Sequence, residues 1–159
     1  MIFVTVGTQK FQLNRLLEIL DCEEIEEEIF AQIGCSTYKP KHFKSQKFLT
    51  QKDFLKYMEN ASIVITHAGV GSILTAMDFD KPILVFPRLK KYGEHVDDHQ
   101  LQIAQTFMEK KYIMMYSEDK PLIEQIEAVK NMKRNYYKSS NKRYIKFLDR
   151  YMGKLKNNK

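Results

Sequence analysis

The sequence predicts an α/β protein built on a parallel sheet buried on both faces, and three observations predict it. Short apolar runs alternate with segments of helical periodicity along the first 131 residues. Several of those runs are continuous rather than alternating in hydrophobicity, as strands covered on both sides by crossover helices are. Glycines and polar residues follow the runs, at Gly7-Thr8, Gly69-Val70-Gly71 and Arg88, where the carboxyl edge of such a sheet collects its ligands.

Ile2 to Val6 reads as the first strand, closed by Gly7-Thr8. Phe11, Leu13, Leu16, Leu17 and Leu20 recur at helical spacing, and the acidic run Glu23 to Glu28 reads as a solvated face. Ile29 to Gly34 is a second strand, and Phe43 to Thr50 an extended segment. Asp53 to Ala61 suits a helix with Phe54, Leu55 and Met58 inward. A strand over 62–66, a helix over 72–79, a strand over 83–86, a helix over 98–110 and a strand over 112–116 follow. Ser117 or Asp119 is the expected cap of a last helix over 121–131.

Composition narrows the class. The chain has 159 residues, 43% hydrophobic and 29% charged, enough for one domain with its own core. No apolar run is long enough to span a bilayer, and the first residues lack the basic region and cleavage site of a signal peptide. Cys22 and Cys35 have neither CxxC nor metal-ligand spacing, and Cys35 has no evident base partner to make it a nucleophile. Together these features predict a cytoplasmic protein.

Charge is uneven. Residues 130–159 hold eleven of the 26 Lys/Arg and one of the 20 Asp/Glu, leaving fifteen basic and nineteen acidic residues ahead of them. The body is mildly acidic and the tail strongly basic. Tyr144, Phe147, Leu148, Tyr151 and Leu155 recur every three or four residues between the tail's cations, the pattern of a basic amphipathic helix. The division expected is a domain over 1–131 and a docking helix over 132–159, facing a partner or an anionic membrane surface. No helix-turn-helix, zinc set or aromatic RNA motif supports a nucleic-acid partner.

Thr66-His67-Ala68-Gly69-Val70-Gly71-Ser72 carries the chemistry: a strand turning through two glycines into a helix. Free amides and the positive helix end make such a turn a seat for phosphate. Ser72 is a candidate cap for that helix, a role compatible with phosphate binding. His67, at the end of a buried strand, is either a structural group or a ligand contact. Glu94-His95-Val96-Asp97-Asp98-His99-Gln100 is a dense polar cluster suited to a polyhydroxylated ligand. Asp98 is a candidate cap for the helix that begins near His99. Asp97, Asp98 and His99 also raise a metal site, set aside because adjacent carboxylates at a helix start rarely converge on one ion. Arg88 is either a surface arginine or a bidentate holder of phosphate or carboxylate.

Phe3-Val4-Thr5-Val6-Gly7-Thr8, His67-Ala68-Gly69-Val70-Gly71-Ser72, and Pro87-Arg88 with Gly93 to Gln100 together resemble the glycosyltransferase family 28 C-terminal domain. The likeness covers roughly residues 1–131. It extends to catalytic subunits of two-component bacterial polysaccharide transferases, and to the cytosolic subunit of the eukaryotic transferase acting on dolichol-linked sugar. The resemblance implies a Rossmann-like three-layer fold, the C-terminal half of a GT-B enzyme. It implies a UDP-sugar donor, inversion, and no metal or other cofactor. The acceptor half would be a separate membrane-anchored subunit, placing this chain peripherally at the inner face of the plasma membrane.

By the same resemblance, Gly69, Val70, Gly71 and Ser72 hold the diphosphate, with Gly7 and Thr8 beside them. Phe48, Leu49 and Thr50 fall at the uracil, and Asp98, His99 and Gln100 at the donor sugar. Relatives commonly place a ribose-binding Glu where this chain has Thr75, so another residue such as Glu94 is expected to help. No convincing general base is visible. His67 and Glu94 are the in-chain candidates, and the partner is the alternative source. The expected reaction transfers a hexose, galactose first, to a lipid-linked saccharide in capsule or exopolysaccharide synthesis. A non-catalytic nucleotide-sugar-binding subunit is the other reading.

Overall fold

The computed structural model describes residues 1–135. Six parallel strands form one sheet: β1 (Ile2–Thr5), β2 (Ile29–Gln32), β3 (Lys44–Gln46), β4 (Ile63–Thr66), β5 (Ile83–Val85) and β6 (Met114–Met115). Their spatial order is β3-β2-β1-β4-β5-β6. Order reverses between β1 and β4, which pair from Ile2 beside Ile63 to Thr5 beside Thr66. That reversal opens a crevice at the carboxyl ends of these two strands.

Five helices connect them: α1 (Asn14–Cys22), α2 (Gln51–Asn60), α3 (Val70–Asp78), α4 (His99–Glu109) and α5 (Leu122–Asn131). Alternate strand residues face opposite layers. Ile2, Val4, Ile63, Ile65 and Leu84 pack with α1 and α5 through Leu16, Leu17, Leu20, Ile126 and Val129. Phe3, Val64, Ile83 and Val85 pack with α2, α3 and α4 through Met58, Ile73, Ala76 and Ala104. The continuous apolar strands are thus covered on both faces, giving the three layers expected. Tyr57 stacks on Phe30 at 3.9 Å, which seats α2 against the sheet and brings Phe54 to the crevice.

Three local expectations are corrected. α5 begins after Pro121 with no cap from its own neighbourhood. Instead Glu23 crosses from the end of α1 and accepts from the Leu122 and Ile123 amides at 2.8 and 2.6 Å. Ser117 and Asp119 bond each other. The acidic run is therefore not a plain solvated face. Glu27 in the same run pairs with the Met1 ammonium and Lys130 and meets Ser62 Oγ. Against the burial that would raise it, these partners pull Glu27 down to about 2.

The third correction concerns the tail's start. Residues 132–135 have no regular secondary structure. They strap the end of α5 to the body: Arg134 donates to the Lys81 and Asp80 carbonyls, and Asn135 to those of Lys110 and Lys111. The expected amphipathic helix lies otherwise outside the described residues. Among those described, no helix is long and apolar enough to cross a membrane.

Candidate functional site

A cavity of about 630 Å³ sits at the strand-order reversal. Its walls are the loop after β1 (Gly7, Thr8, Gln9), the end of β2 (Gln32), Leu49, Gln51 and Phe54 around the start of α2, and His67 with the first turns of α3. Gly7 takes φ +77°, a left-handed conformation natural to glycine, and turns the chain back over the sheet edge.

The His67 ring forms the floor between two glycines. A Cβ on Gly7 would stand 2.5 Å from its Cε1, and one on Gly69 2.6 Å from the same atom and closer still to Nε2. Both glycines are therefore required by the ring. His67 is 6% exposed. Burial and the neighbouring Arg88 cation push it down to about 4, so the imidazole is neutral at physiological pH.

α3 starts at Val70 with Gly69 as its N-cap, two residues earlier than the sequence indicates. Ser72 consequently lies within the first turn and is not the cap, and no side chain caps this helix. The amides of Val70, Gly71 and Ser72 precede the first intrahelical bond, from the Ile73 amide to the Gly69 carbonyl at 3.2 Å. They face the cavity with the positive helix end behind them. A Cβ built on Gly71 meets nothing within 4 Å. Thr75 lines the cavity one turn on, its hydroxyl donating to the Gly71 carbonyl at 2.8 Å.

The remaining expected site residues divide. Leu49 lines the cavity, held by its amide donating to Gln32 Oε1 at 3.2 Å. Phe48 beside it is 45% exposed, and Thr50 caps α2, its hydroxyl accepting from the Asp53 amide. Neither lines the cavity itself.

Arg88 is wholly buried, so it is neither a surface arginine nor a contact within the cavity. Its Nη2 donates to the Val6 and Phe11 carbonyls at 2.7 and 2.9 Å, tying the loop after β1 to the loop after β5. Its amide donates to Gln100 Oε1, which fixes the buried Gln100 away from the cavity lining. Nε and Nη1 find no hydrogen-bond partner. Burial lowers this guanidinium below its ordinary value, with Glu94 opposing.

Glu94 is also corrected. It is 1% exposed and accepts from Arg15 Nε and Nη2 at 3.1 and 3.0 Å and from the Leu89 amide at 3.0 Å. A carboxylate so occupied is not a free base, nor does it reach a ribose in the cavity. Arg15, which sequence reasoning passed over, is the cause. Its guanidinium lies 4.3 and 4.6 Å from the Phe86 and Tyr92 rings while it holds Glu94.

Asp98 stands at the N-cap position of α4, but its carboxylate accepts from the Lys90 amide instead of capping. Asp97 accepts from the His99 amide and meets His95 Nδ1. The two carboxylates thus serve different partners and do not converge on an ion. His99 itself is exposed at the start of α4, outside the cavity lining.

Comparison with known proteins decides the family. Residues 1–152 match the Glycosyltransferase family 28 C-terminal domain.

The chain belongs to this family.

Among curated family 28 relatives it is similar to UDP-N-acetylglucosamine transferase subunit ALG13 of Candida albicans, at 34% identity over 84 residues. That match covers 53% of this chain and 27% of the relative. The human ALG13 subunit is 32% identical over 119 residues, covering 65% of this chain and 10% of that protein. The chain thus spans well under half the length of these relatives. In fold it is similar to the solution structure of ALG13, with TM-score 0.57 at 18% identity over 92% of this chain and 94% of that one. It also resembles CalG4, the calicheamicin glycosyltransferase, with TM-score 0.58 at 14% identity over 82% of this chain and 34% of that chain. The architecture is the C-terminal half of a GT-B fold.

Gln9, Gln32, Gln51 and Phe54 line this family 28 cavity and were not singled out in the sequence. Gln9 and Gln32 carried a readable signal, since Gln32 ends β2 and Gln9 lies in the loop leaving the carboxyl end of β1, where ligands gather.

Proposed function

We propose that this chain is the donor-binding subunit of a glycosyltransferase that moves a sugar from a UDP-sugar to a lipid-linked saccharide. The observation that carries this reading is the row of free amides at Val70, Gly71 and Ser72 opening into the cavity at the strand-order reversal. Such donors stabilise the charge that grows on a departing diphosphate, and one of them is worth about 2.7–4 kcal/mol in comparable sites. The neutral His67 ring beneath them offers an N–H to the same group. Leu49 flanks the base, and Thr75 and Gln51 supply hydroxyl and amide groups for the ribose in place of the occupied Glu94.

The acceptor half is a separate membrane-anchored subunit, and the chain works at the cytoplasmic face through it. The relatives' printed name, a transferase subunit, supports that arrangement. Transfer is inverting, and the α3 amides serve without a metal. The relatives' name makes N-acetylglucosamine the first sugar to test, with galactose next.

Calorimetry of the full chain with UDP and a panel of UDP-sugars tests the reading. Saturable UDP binding with a preference among sugars is the expected result. Absence of UDP binding by the chain, alone and with its acceptor subunit, overturns it. Binding without turnover in the presence of that subunit favours the non-catalytic alternative.

A further inference from the structure

We propose that His95, oriented by Asp97, is the general base that takes the proton from the acceptor hydroxyl. The proposal rests on the transferase reading above and adds the group that neither His67 nor Glu94 supplies. His67 is neutral, nearly buried and pushed down to about 4, so it is a weak proton acceptor. Glu94 is buried and spent on Arg15 and the Leu89 amide.

His95 differs from both. Its Nδ1 lies 2.9 Å from Asp97 Oδ1. Asp97 is fixed in turn by the His99 amide at 3.0 Å. That amide holds the Asp97 carboxyl below the usual range against burial, with His95 adding to the effect, so the carboxylate stays ionised. The Asp97 amide also approaches Nδ1, at 3.4 Å, but the shorter, charge-assisted carboxylate contact sets the tautomer. Nδ1 carries the proton, and the Nε2 lone pair has no hydrogen-bond partner among the described residues.

The ring lies outside the cavity lining, beside the loop that forms one of its walls. It packs on Phe11 at 5.0 Å, and Phe11 ends the stretch that begins with Gly7, Thr8 and Gln9 in the cavity wall. His95 lies near enough to His67 to add, after burial and Arg88, to what disfavours a proton there, and Lys10 lies 5.8 Å from the Phe11 ring centroid. The His95 side chain is 16% exposed, sheltered yet open to an arriving acceptor.

In the step, Nε2 takes the acceptor hydroxyl proton while the acceptor oxygen bonds to the anomeric carbon. The bond from that carbon to the diphosphate oxygen breaks, and its electron pair leaves with UDP toward the α3 amides. The imidazolium formed faces the Asp97 carboxylate, which stabilises it.

The test uses membranes that retain the acceptor subunit and lipid acceptor but lack this chain, supplied with the full-length chain and labelled UDP-sugars. His95→Gln is expected to bind UDP within about threefold of wild type and to lose transfer by about 10²–10⁴-fold. Asp97→Asn is expected to bind UDP like wild type and to lower kcat with little change in KM for the UDP-sugar, because the ring loses the carboxylate that orients it and stabilises its imidazolium. Wild-type transfer by His95→Gln overturns the proposal, as does a parallel loss of UDP binding. Should His95→Gln fail to fold, a wild-type kcat in Asp97→Asn overturns it equally. A wild-type chain that neither binds UDP nor transfers sugar overturns the transferase reading itself.

Discussion

Gly71 separates the site from the fold more cleanly than any other position. A Cβ there meets nothing within 4 Å, and the residue lies in the first turn of α3 on the cavity wall. Gly71→Ala relieves the conformational entropy of a helical glycine, worth about 0.5–1 kcal/mol, so Tm should rise by about 1–4 °C. Gly71→Trp sets an indole on the cavity wall, where it covers the amides of Val70, Gly71 and Ser72. A hydrogen bond to a charged group contributes about 1.5–3 kcal/mol, so losing two costs about 3–6 kcal/mol, or roughly two to four decades in Kd for UDP. Calorimetry measures the second effect and thermal melting the first, on the same samples. Gly71→Trp that melts like wild type and binds UDP with unchanged affinity refutes the assignment of the diphosphate to this turn. Gly71→Trp that fails to fold refutes the claim that the position is open.

Gly69→Ala should behave in the opposite way, because its new methyl group strikes the His67 ring. About 1–3 kcal/mol of overpacking is expected in urea denaturation, and a variant as stable as wild type would show that the ring is free to move. Glu23→Ala removes the carboxylate that accepts from two amides at the start of α5. It should cost about 0.5–2 kcal/mol, read as a lower urea midpoint at an unchanged m-value. His67 makes stability depend on pH. Between its ordinary value of 6.5 and about 4 the unfolded chain binds a proton there that the native chain does not, so stability falls as pH drops through that window. The loss is roughly 3 kcal/mol by pH 4, and it should be absent from His67→Gln; parallel pH profiles for the two proteins would contradict the buried, neutral ring. Glu27 adds its own loss only lower, from 4.5 toward about 2.

Periodicity and strand length made the sheet legible. Ile2 to Val6, Ser62 to Thr66 and Pro82 to Phe86 read as buried strands because they have no polar face, and they are the central strands β1, β4 and β5. The strand–turn–helix at Gly69 to Gly71 was legible too, since two glycines after a strand and before a helix leave few other conformations. What escaped was every feature set by pairing across the fold. Asp98 sits where a cap should, yet bonds Lys90 eight residues back; α5 has candidate caps at Ser117 and Asp119, yet takes Glu23 from about a hundred residues away. No local pattern encodes such a choice. Arg88 and Glu94 look like site residues because charge near a glycine turn usually is. Their burial depends on Arg15 and on the carbonyls of Val6 and Phe11, which come near only once the sheet has formed.

Those hidden pairings bear on chemistry. Arg88 is fully buried with two nitrogens unpaired, a costly arrangement whose nearest visible effects lie in the site. Through Nη2 it fixes both ends of the stretch from Val6 to Phe11, and that stretch carries Gly7, Thr8 and Gln9 into the cavity wall and Phe11 under the His95 ring. Its charge also helps keep His67 neutral. One buried cation therefore ties down one wall of the cavity, adds to the burial that keeps its floor neutral, and anchors the platform beneath His95. Replacing it should disturb donor binding and proton transfer together, whereas replacing His95 should disturb proton transfer alone. That contrast distinguishes a residue that organises the site from one that acts in it.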